Sequence, residues 1–325
     1  MKDPNLLITN YCNQNCSFCF AKREMGNGAL GKEMEIDDFK KLLEDVSWNK
    51  KQRGIKLLGG EPTLHSRLFE MIDLAVKHNL FVQIFTNGII NRVKRQKLAS
   101  YGNHIGYTFN IMTPAFQTDR KVRTEVKNTV MELANKSRIT LSITLDQSFN
   151  MKPFFNTANS SFLKHVNNIR IGFSNPEVGA HNRYVFESFP KVGSIFVDFI
   201  KTAREKGFLG EFHTNCGFTR CMFTQQQYDY VGSEISHIRW GCFGKESSMD
   251  VSVDLHAFHC FPLSEKKRID LKKHDFLKAN KELMKERMTS WSSLKNNMCK
   301  KCRFYGYGEE GCPGPCLAFL MNEKN

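Results

Sequence analysis

The chain lacks the long apolar segments that a membrane protein needs. No hydrophobic run approaches the roughly 18 residues that span a bilayer, and the opening sequence MKDPNLLITNYC lacks the apolar core of a signal peptide. Internal repeats and low-complexity linkers are also absent. These absences predict a cytoplasmic globular protein without a membrane anchor.

Cysteine is missing from the long middle of the chain. Of eleven cysteines, three lie between Cys12 and Cys19 and eight lie between Cys216 and Cys316. Because cytoplasmic thiols stay reduced, such clusters favour metal binding over disulfides. A chain of 325 residues also buries enough surface to fold without disulfides. We therefore expect two metal-binding regions that flank a cysteine-free body.

Acidic residues are scarce relative to basic ones. The chain has 33 aspartates and glutamates against 47 lysines and arginines, which gives a net charge of +14. Such an excess favours anionic partners such as nucleic acid, acidic peptides or phosphorylated molecules. A lysine-rich surface explains it equally well, and the basic residues are scattered along the chain. Charge therefore identifies no partner.

The first two hundred residues alternate between strand-like and helix-like segments. The strand candidates are Leu6–Asn10, Ile55–Leu58, Phe81–Thr86, His104–Met112, Ile139–Leu145 and Ile169–Phe173. The helix candidates are Ile36–Val46, Ser66–His78, Val122–Ala134, Thr157–Val166 and Val192–Lys206. This alternation predicts an α/β protein with a parallel sheet, in the form of a partial (β/α)6 TIM-like barrel; a flat doubly wound sheet is the alternative. In either arrangement ligands bind at the carboxyl ends of the strands.

The pattern changes after Gly207. Short strand-like segments at Glu211–Phe218, Asp250–Leu255 and Ala257–Phe261 are followed by a polar helical segment at Asp275–Met288. We therefore predict a barrel domain over residues 1–207 and a small cysteine-rich extension over residues 208–325, packed on the barrel.

The first three cysteines have the spacing CxxxCxxC directly after the first predicted strand. Three thiolates on one short loop can hold three irons of a 4Fe–4S cluster and leave the fourth iron open to a small molecule. A zinc half-site is the alternative, although the nearest histidine is His65. The lack of a nearby fourth ligand favours catalysis over a structural site.

This loop resembles the signature of radical S-adenosylmethionine (SAM) enzymes, with Phe18 as the aromatic residue before the last cysteine. The resemblance implies that Cys12, Cys16 and Cys19 hold a 4Fe–4S cluster whose open iron is chelated by SAM. It also implies that Gly59-Gly60-Glu61-Pro62 is the GGEP motif that holds the methionine amino group, with Glu61 supplying a charge for the ammonium. Further cofactor contacts are expected at Thr86 and Asn87, which end the third strand, and at Asn110 and Thr144 for the ribose hydroxyls.

The late cysteines resemble a SPASM or twitch extension, which carries auxiliary iron–sulfur clusters in some of these enzymes. Asp254–Cys260 resembles the hairpin that delivers one ligand, with Leu255 where glycine is usual. The resemblance implies one or two auxiliary 4Fe–4S clusters; a cluster with zinc, or zinc alone, remains open. The eight candidate ligands are Cys216, Cys221, Cys242, Cys260, Cys299, Cys302, Cys312 and Cys316.

The function implied by this resemblance is generation of a 5′-deoxyadenosyl radical that abstracts hydrogen from a peptide or protein side chain. An electron donor such as a flavodoxin or ferredoxin is implied as a partner. Because the first strand lies at the start of the chain, a leader-dependent reaction is expected to need a separate recognition protein. The alternatives are a small substrate such as an aminoglycoside or nucleoside, then a nucleic acid, and, from a different class, a non-catalytic zinc- or cluster-binding adaptor.

Overall fold

A computed structural model describes residues 3–25, 31–47, 53–145, 149–174, 185–235, 238, 240–242, 248–293, 297–306 and 311–322. The strands are β1 Asn5–Thr9, β2 Gly54–Gly59, β3 Phe81–Thr86, β4 Ile105–Asn110, β5 Arg138–Leu145, β6 Asn168–Phe173, β7 Glu211–Thr214, β8 Asp250–Val251, β9 His256–Phe258 and β10 Ile269–Asp270. The helices are α1 Ile36–Ser47, α2 Leu68–Lys77, α3 Arg92–Ser100, α4 Pro114–Thr118, α5 Arg120–Ala134, α6 Lys152–Thr157, α7 Ser160–Leu163, α8 Phe189–Glu205, α9 Gln225–Glu234, α10 Phe276–Ser293, α11 Asn297–Lys300 and α12 Leu317–Asn322.

The described strands form one open sheet in the order β10-β9-β8-β1-β2-β3-β4-β5-β6-β7. Strands β1 to β7 run parallel, and β8 joins the free edge of β1 in parallel before turning back into β9. Helices connect most of the parallel strands, as parallel pairing requires. The predicted α/β class and partial barrel are confirmed.

The two faces of the sheet differ in chemistry because side chains alternate along each strand. One face carries apolar residues such as Ile84, Tyr107 and Leu141, which are buried in the main core with the helices. The opposite face carries polar residues that bond to one another: Gln83 donates to Thr108 at 3.0 Å. A polar inner face of this kind suits a barrel that receives a ligand.

Several observed helices differ from the predicted ones, and two of these differences have a clear physical reason. Helix α3 was not predicted, because Leu98 is its only buried residue and its apolar periodicity is correspondingly low. The predicted helix at residues 157–166 is wrong, since α6 ends at Thr157 and α7 begins anew at Ser160. Asn159 separates them because its extended backbone allows the side chain to cap α7 by accepting from Phe162 N–H.

Strands from both sides of residue 207 share the sheet. Strand β7 extends it beyond β6, and β8 extends it beyond β1. The division of the chain at residues 207 and 208 stays a prediction. No helix in the described part of the chain is long and apolar enough to cross a membrane.

Candidate functional site

The loop after β1 brings the first three cysteines together. Cys19 N–H donates to Cys16 O at 3.2 Å, which folds the CxxC segment into a tight turn. The pKa of the Cys12 thiol is raised to about 11 and that of Cys16 to about 12, mainly by burial, and charge on Cys19 contributes to both shifts. This mutual influence indicates that the three thiols occupy one small region. Metal binding there must displace their protons.

The number of thiols on this loop matches a 4Fe–4S cluster with one open iron. Within the described ranges, no three cysteine, histidine or carboxylate side chains converge as one metal ion requires. In a 4Fe–4S cluster each thiolate binds a different iron, so the ligands stand further apart. His65, the nearest histidine in sequence, is engaged elsewhere: its ring contacts Met34 O at 3.2 Å and accepts from Arg67 N–H at 3.0 Å. The residues present therefore fit a three-cysteine cluster site.

Gly60 allows the end of β2 to pack directly against the cysteine loop. A Cβ atom at this position would lie 2.1 Å from Tyr11 O and 2.7 Å from the Cβ of Cys12. The backbone of this segment also bonds to the loop, since Glu61 N–H donates to Tyr11 O at 2.7 Å. Position 60 thus requires glycine, because any side chain would collide with the loop that carries Cys12.

Glu61 is a fully buried carboxylate that joins the GGEP segment to the end of β3. Its Oε1 atom accepts from Thr63 N–H, from the Thr63 hydroxyl and from the Thr86 hydroxyl, at 3.1, 2.7 and 2.8 Å. Its Oε2 atom accepts from Asn87 N–H at 2.7 Å. Burial raises the pKa of Glu61, while these donors lower it. The predicted contact with an ammonium stays a prediction; the structure shows a carboxylate that fixes two loops relative to each other.

Asn87 extends this network to the cysteine loop. Its side chain donates to Asn13, between the first two cysteines, at 2.6 Å. Gln14 accepts from Ala115 N–H at 3.4 Å and so links the loop to the segment after β4. Sequence reasoning missed Asn13 and Gln14, because they lie at the variable positions of CxxxC and nothing in the pattern distinguishes them.

Three of the remaining predicted cofactor contacts, Phe18, Asn110 and Thr144, are half-buried. Asn110 ends β4 and is in register with Ser142 on β5, and Thr144 lies two residues further along β5. Alternation therefore places Asn110 and Thr144 on the same inner face. Phe18 lies in the cysteine loop, and Pro62 is buried in the turn after Glu61. Their roles toward a cofactor stay predictions.

The eight late cysteines separate into two sets of four by their electrostatic influence on one another. The first, here termed the Cys260 group, contains Cys216, Cys242, Cys260 and Cys316. The second, the Cys312 group, contains Cys221, Cys299, Cys302 and Cys312. No thiol acts across the two sets in these contacts. Each set has the four thiols that complete a 4Fe–4S ligand set.

Backbone contacts explain why cysteines distant in sequence meet. Gly217 N–H donates to Gly241 O at 3.0 Å, which joins the residues that follow Cys216 to those that precede Cys242. Cys312 N–H donates to Phe304 O at 2.6 Å, which brings Cys312 to the Cys299–Cys302 turn. Cys316 accepts backbone hydrogen bonds from Phe319 and Ala318 in the first turn of α12. Such donors stabilise a thiolate, so the groups fit metal-bound sulfur.

The cysteine loop of β1 also contacts the hairpin that carries Cys260. The rings of Phe20 and Phe261 lie 5.3 Å apart, and Ala21 packs with Phe258 and Phe261 in a small apolar cluster. Arg268 forms an ion pair with Glu24 at 2.7 Å. These contacts hold the first cysteine cluster against the C-terminal part of the chain.

Comparison with known proteins agrees with this arrangement. The profile of the radical SAM superfamily matches residues 6–146, which include the cysteine loop, GGEP and the end of β3. The chain therefore carries a radical SAM domain. Proteins of this superfamily use a 4Fe–4S cluster and SAM.

The curated relatives match only over short stretches. A 7,8-dihydro-6-hydroxymethylpterin dimethyltransferase of Methanocaldococcus jannaschii is 38% identical over 101 residues, which are 29% of this chain and 20% of that protein. An S-adenosylmethionine-dependent nucleotide dehydratase of Selenomonas ruminantium is 29% identical over 84 residues, which are 26% of this chain and 29% of that protein. The chain thus spans less than a third of either relative.

Two solved proteins share the fold over almost the whole chain. Streptococcus suis SuiB bound to S-adenosylmethionine aligns with a TM-score of 0.67 over 99% of this chain and 74% of SuiB, at 15% identity. SuiB bound to precursor peptide SuiA aligns with a TM-score of 0.65 over 92% of this chain and 69% of SuiB, at 16% identity. Native anSMEcpe with bound AdoMet aligns with a TM-score of 0.67 over 97% of this chain and 89% of that protein, at 16% identity. The shared fold extends through the cysteine-rich part.

Proposed function

We propose that the chain is a radical SAM enzyme that modifies a peptide or protein side chain. The observation that carries the proposal is the network that joins Cys12, Gly60, Glu61 and Asn87 at the ends of the first three strands. When bound at this site, a 4Fe–4S cluster and SAM supply the 5′-deoxyadenosyl radical, by one-electron reductive cleavage of SAM, for hydrogen-atom abstraction. An electron donor of the flavodoxin or ferredoxin type is part of the proposal.

The chain's own residues would bind and orient the cofactors. Cys12, Cys16 and Cys19 would hold three irons, while the GGEP backbone would receive the methionine end of SAM. Glu61 would keep that backbone fixed, because two of its four hydrogen bonds, from Thr86 and Asn87, tie it to the end of β3, and the other two, from Thr63, fix its own turn. Asn110 and Thr144 would face the ribose from the inner face of the sheet.

We propose that residues 208–325 form an auxiliary module with one 4Fe–4S cluster in the Cys260 group and one in the Cys312 group. Eight thiols in two sets of four support two fully ligated clusters, which favours electron transfer over direct substrate binding. Reduced thiols require a reducing compartment, and a cytoplasmic location is accordingly part of the proposal.

Anaerobic reconstitution tests the proposal. The protein should turn brown, bind about twelve irons for three clusters, and release 5′-deoxyadenosine from SAM after reduction. The variants Cys12→Ala, Cys16→Ala and Cys19→Ala should each lose that release while remaining folded. Colourless protein that binds zinc alone would contradict the proposal and favour a non-catalytic adaptor.

A small-molecule substrate is the second candidate. It is favoured by the sequence match to proteins that act on a pterin and on nucleotides. The two candidate substrate classes can be distinguished with an extract of deuterated cells. The extract is divided by ultrafiltration into a peptide fraction and a small-molecule fraction, and each is incubated with the reduced enzyme and SAM. Deuterium should enter 5′-deoxyadenosine from the peptide fraction; transfer only from the small-molecule fraction would favour the second candidate.

A nucleic-acid substrate has less support. A surface cleft of about 780 Å³ between α3 and α5 combines Arg92, Arg120 and Lys121 with Asp119 and Glu125. Arg95, which also lines it, forms an ion pair with Glu132 at 3.1 Å. Charges of both signs make this cleft a poor electrostatic match for a phosphate backbone.

A further inference from the structure

Arg287 is a buried arginine on α10. It is 3% exposed, although α10 is otherwise a polar helix with lysines on its solvent side. Its Nη1 atom contacts Nε2 of His259, which is also buried and directly precedes Cys260. An arginine side chain has only donors and keeps its charge when buried, so Nε2 of the imidazole accepts this hydrogen bond. The positive charge of this pair therefore belongs to Arg287.

The guanidinium acts on the Cys260 group. Its contact with His259 places it next to Cys260, and Cys242 of the same group lies within its electrostatic range. Asp250 is another buried ionisable side chain that acts on this group, and burial raises its pKa to about 7. Arg287 is thus a permanent positive charge beside the Cys260 group in a region of low dielectric, where charges interact more strongly than in water.

We propose that Arg287 is a positioning residue that raises the reduction potential of the iron–sulfur cluster held by the Cys260 group. The inference rests on the proposed function, because it requires that auxiliary cluster. Reduction adds one electron and no proton, taken from an external low-potential one-electron donor. The reduced state therefore carries one more negative charge, and a fixed buried cation stabilises it relative to the oxidised state.

Arg220 provides a matched comparison at the other group. Its backbone N–H donates to the sulfur of Cys312. Its guanidinium lies between the rings of Tyr228 and Phe304, 3.9 and 4.0 Å from their centroids. Replacing Arg220 removes a positive charge of the same type from the module without touching the Cys260 group.

The test is an EPR-monitored redox titration of the reconstituted full-length protein. Arg287→Gln should lower the equilibrium constant for reduction of one auxiliary cluster at least tenfold. For one electron, this corresponds to a fall of about 59 mV in its midpoint potential. Arg287→Lys should restore it. The midpoint potential that shifts should belong to the Cys260 group, so its signal should still be present when Cys299 and Cys302 of the other group are replaced. Arg220→Gln should leave this midpoint potential unchanged.

Other results would overturn the inference. An unchanged midpoint in Arg287→Gln with normal iron content would do so, and so would equal shifts of one midpoint by Arg287→Gln and Arg220→Gln. Arg287→Met is the second neutral variant; if neither neutral variant folds while Arg287→Lys does, the charge serves folding and the inference is wrong. A wild-type iron content of only four would instead reject the auxiliary clusters, and so the proposed function of the module.

Discussion

Single residues at the strand ends hold the cysteine loop in place, and Glu61 is central among them. Glu61→Gln should lower the free energy of unfolding by about 1–3 kcal/mol, because the amide group would face a backbone donor at Asn87 or the donors of Thr63 and Thr86. Urea denaturation of the metal-free protein measures this. Glu70→Gln is the control, since Glu70 is in an exposed ion pair with Arg67 that contributes about 0–1 kcal/mol. Equal stability of the two variants would contradict the assigned role of Glu61.

Gly60 offers a second test at the same scale. Gly60→Ala should reduce iron uptake at the first cluster, because its methyl group would overlap Tyr11 O and press on Cys12. The measurement is iron per chain after reconstitution, together with SAM-binding affinity. Gly232→Ala is the matched control: it lies in α9, a Cβ there meets nothing within 4 Å, and we expect full iron content. Full iron uptake in Gly60→Ala would show that the loop can move away at little cost.

At the scale of elements, the hairpin between β8 and β9 turns through Leu255. This residue has a φ of +63°, which favours glycine, yet its side chain is completely buried. Leu255→Ala should cost about 2–5 kcal/mol through loss of packing. Leu255→Gly should be about 1 kcal/mol more stable than Leu255→Ala, since glycine relieves the backbone strain. Unfolding free energies of the two variants test this order.

Leu283 in α10 is the control for that order. It is 1% exposed and lies in a helix. At this position the Leu283→Gly variant should be about 1 kcal/mol less stable than Leu283→Ala, because glycine is disfavoured in a helical backbone. The same order at both positions would mean that Leu255 is not strained.

Asp250 connects strand β8 to the neighbouring strand β1 and to the segment that follows β9. It accepts from the side chain of Asn5 and, at 3.0 Å, from Phe261 N–H. Burial raises its pKa to about 7, so the folded protein keeps this proton where the unfolded chain, with a pKa of about 3.9, has lost it. The proton on Asp250 therefore contributes fully to the free energy of unfolding below about pH 4, and this contribution is lost as the pH rises through about 7.

Asp250→Asn should remove this pH dependence. Relative to the wild type, the variant should gain roughly 2–3 kcal/mol between about pH 5 and pH 8, measured by urea denaturation of the reconstituted protein. Asp198→Asn on the exposed side of α8 is the control and should show no such gain. A constant difference between Asp250→Asn and the wild type would mean that Asp250 is ionised throughout.

The sequence was sufficient for the first six strands and for the three motifs at the strand ends. Local patterns carry that information: apolar alternation defines β3 to β6, and CxxxCxxC is contained in eight residues. The partners of Glu61 and the link from Asn87 to Asn13 could not be predicted, because they join segments that meet only after the sheet forms. The same holds for α3, whose sequence has little apolar periodicity.

At the scale of the whole molecule, pairing of the late cysteines depends on long-range contacts. Sequence order would join Cys216 with Cys221, only five positions apart, yet the structure assigns them to different groups. Cys221 acts with Cys302 and Cys312 because its neighbour Arg220 packs on Phe304 and donates its backbone N–H to the sulfur of Cys312. Spacing alone implied one or two clusters and left zinc as an alternative, whereas the fold divides the thiols four and four.

This division leads to a quantitative prediction for Cys299→Ala combined with Cys302→Ala. Because both residues belong to the Cys312 group, the double variant should lose about four of twelve irons and keep the clusters at the other two sites. SAM cleavage should continue in part, uncoupled from product, since Cys12, Cys16 and Cys19 are untouched. Product formation should fall much further than cleavage, because an electron path through the module is interrupted.

Loss of a metal site can also unfold the region around it, because the binding energy of a cysteine-rich module is largely folding energy. The double variant should therefore first be compared with the wild type by size-exclusion chromatography and circular dichroism.

The matching pair, Cys242→Ala with Cys316→Ala, should also lose about four irons, but from the Cys260 group. If either folded variant lost about eight irons, the two groups would depend on each other. If the folded Cys299 and Cys302 variant formed product at the normal rate, the Cys312 group would be structural, and peptide modification would lose the support it draws from the module.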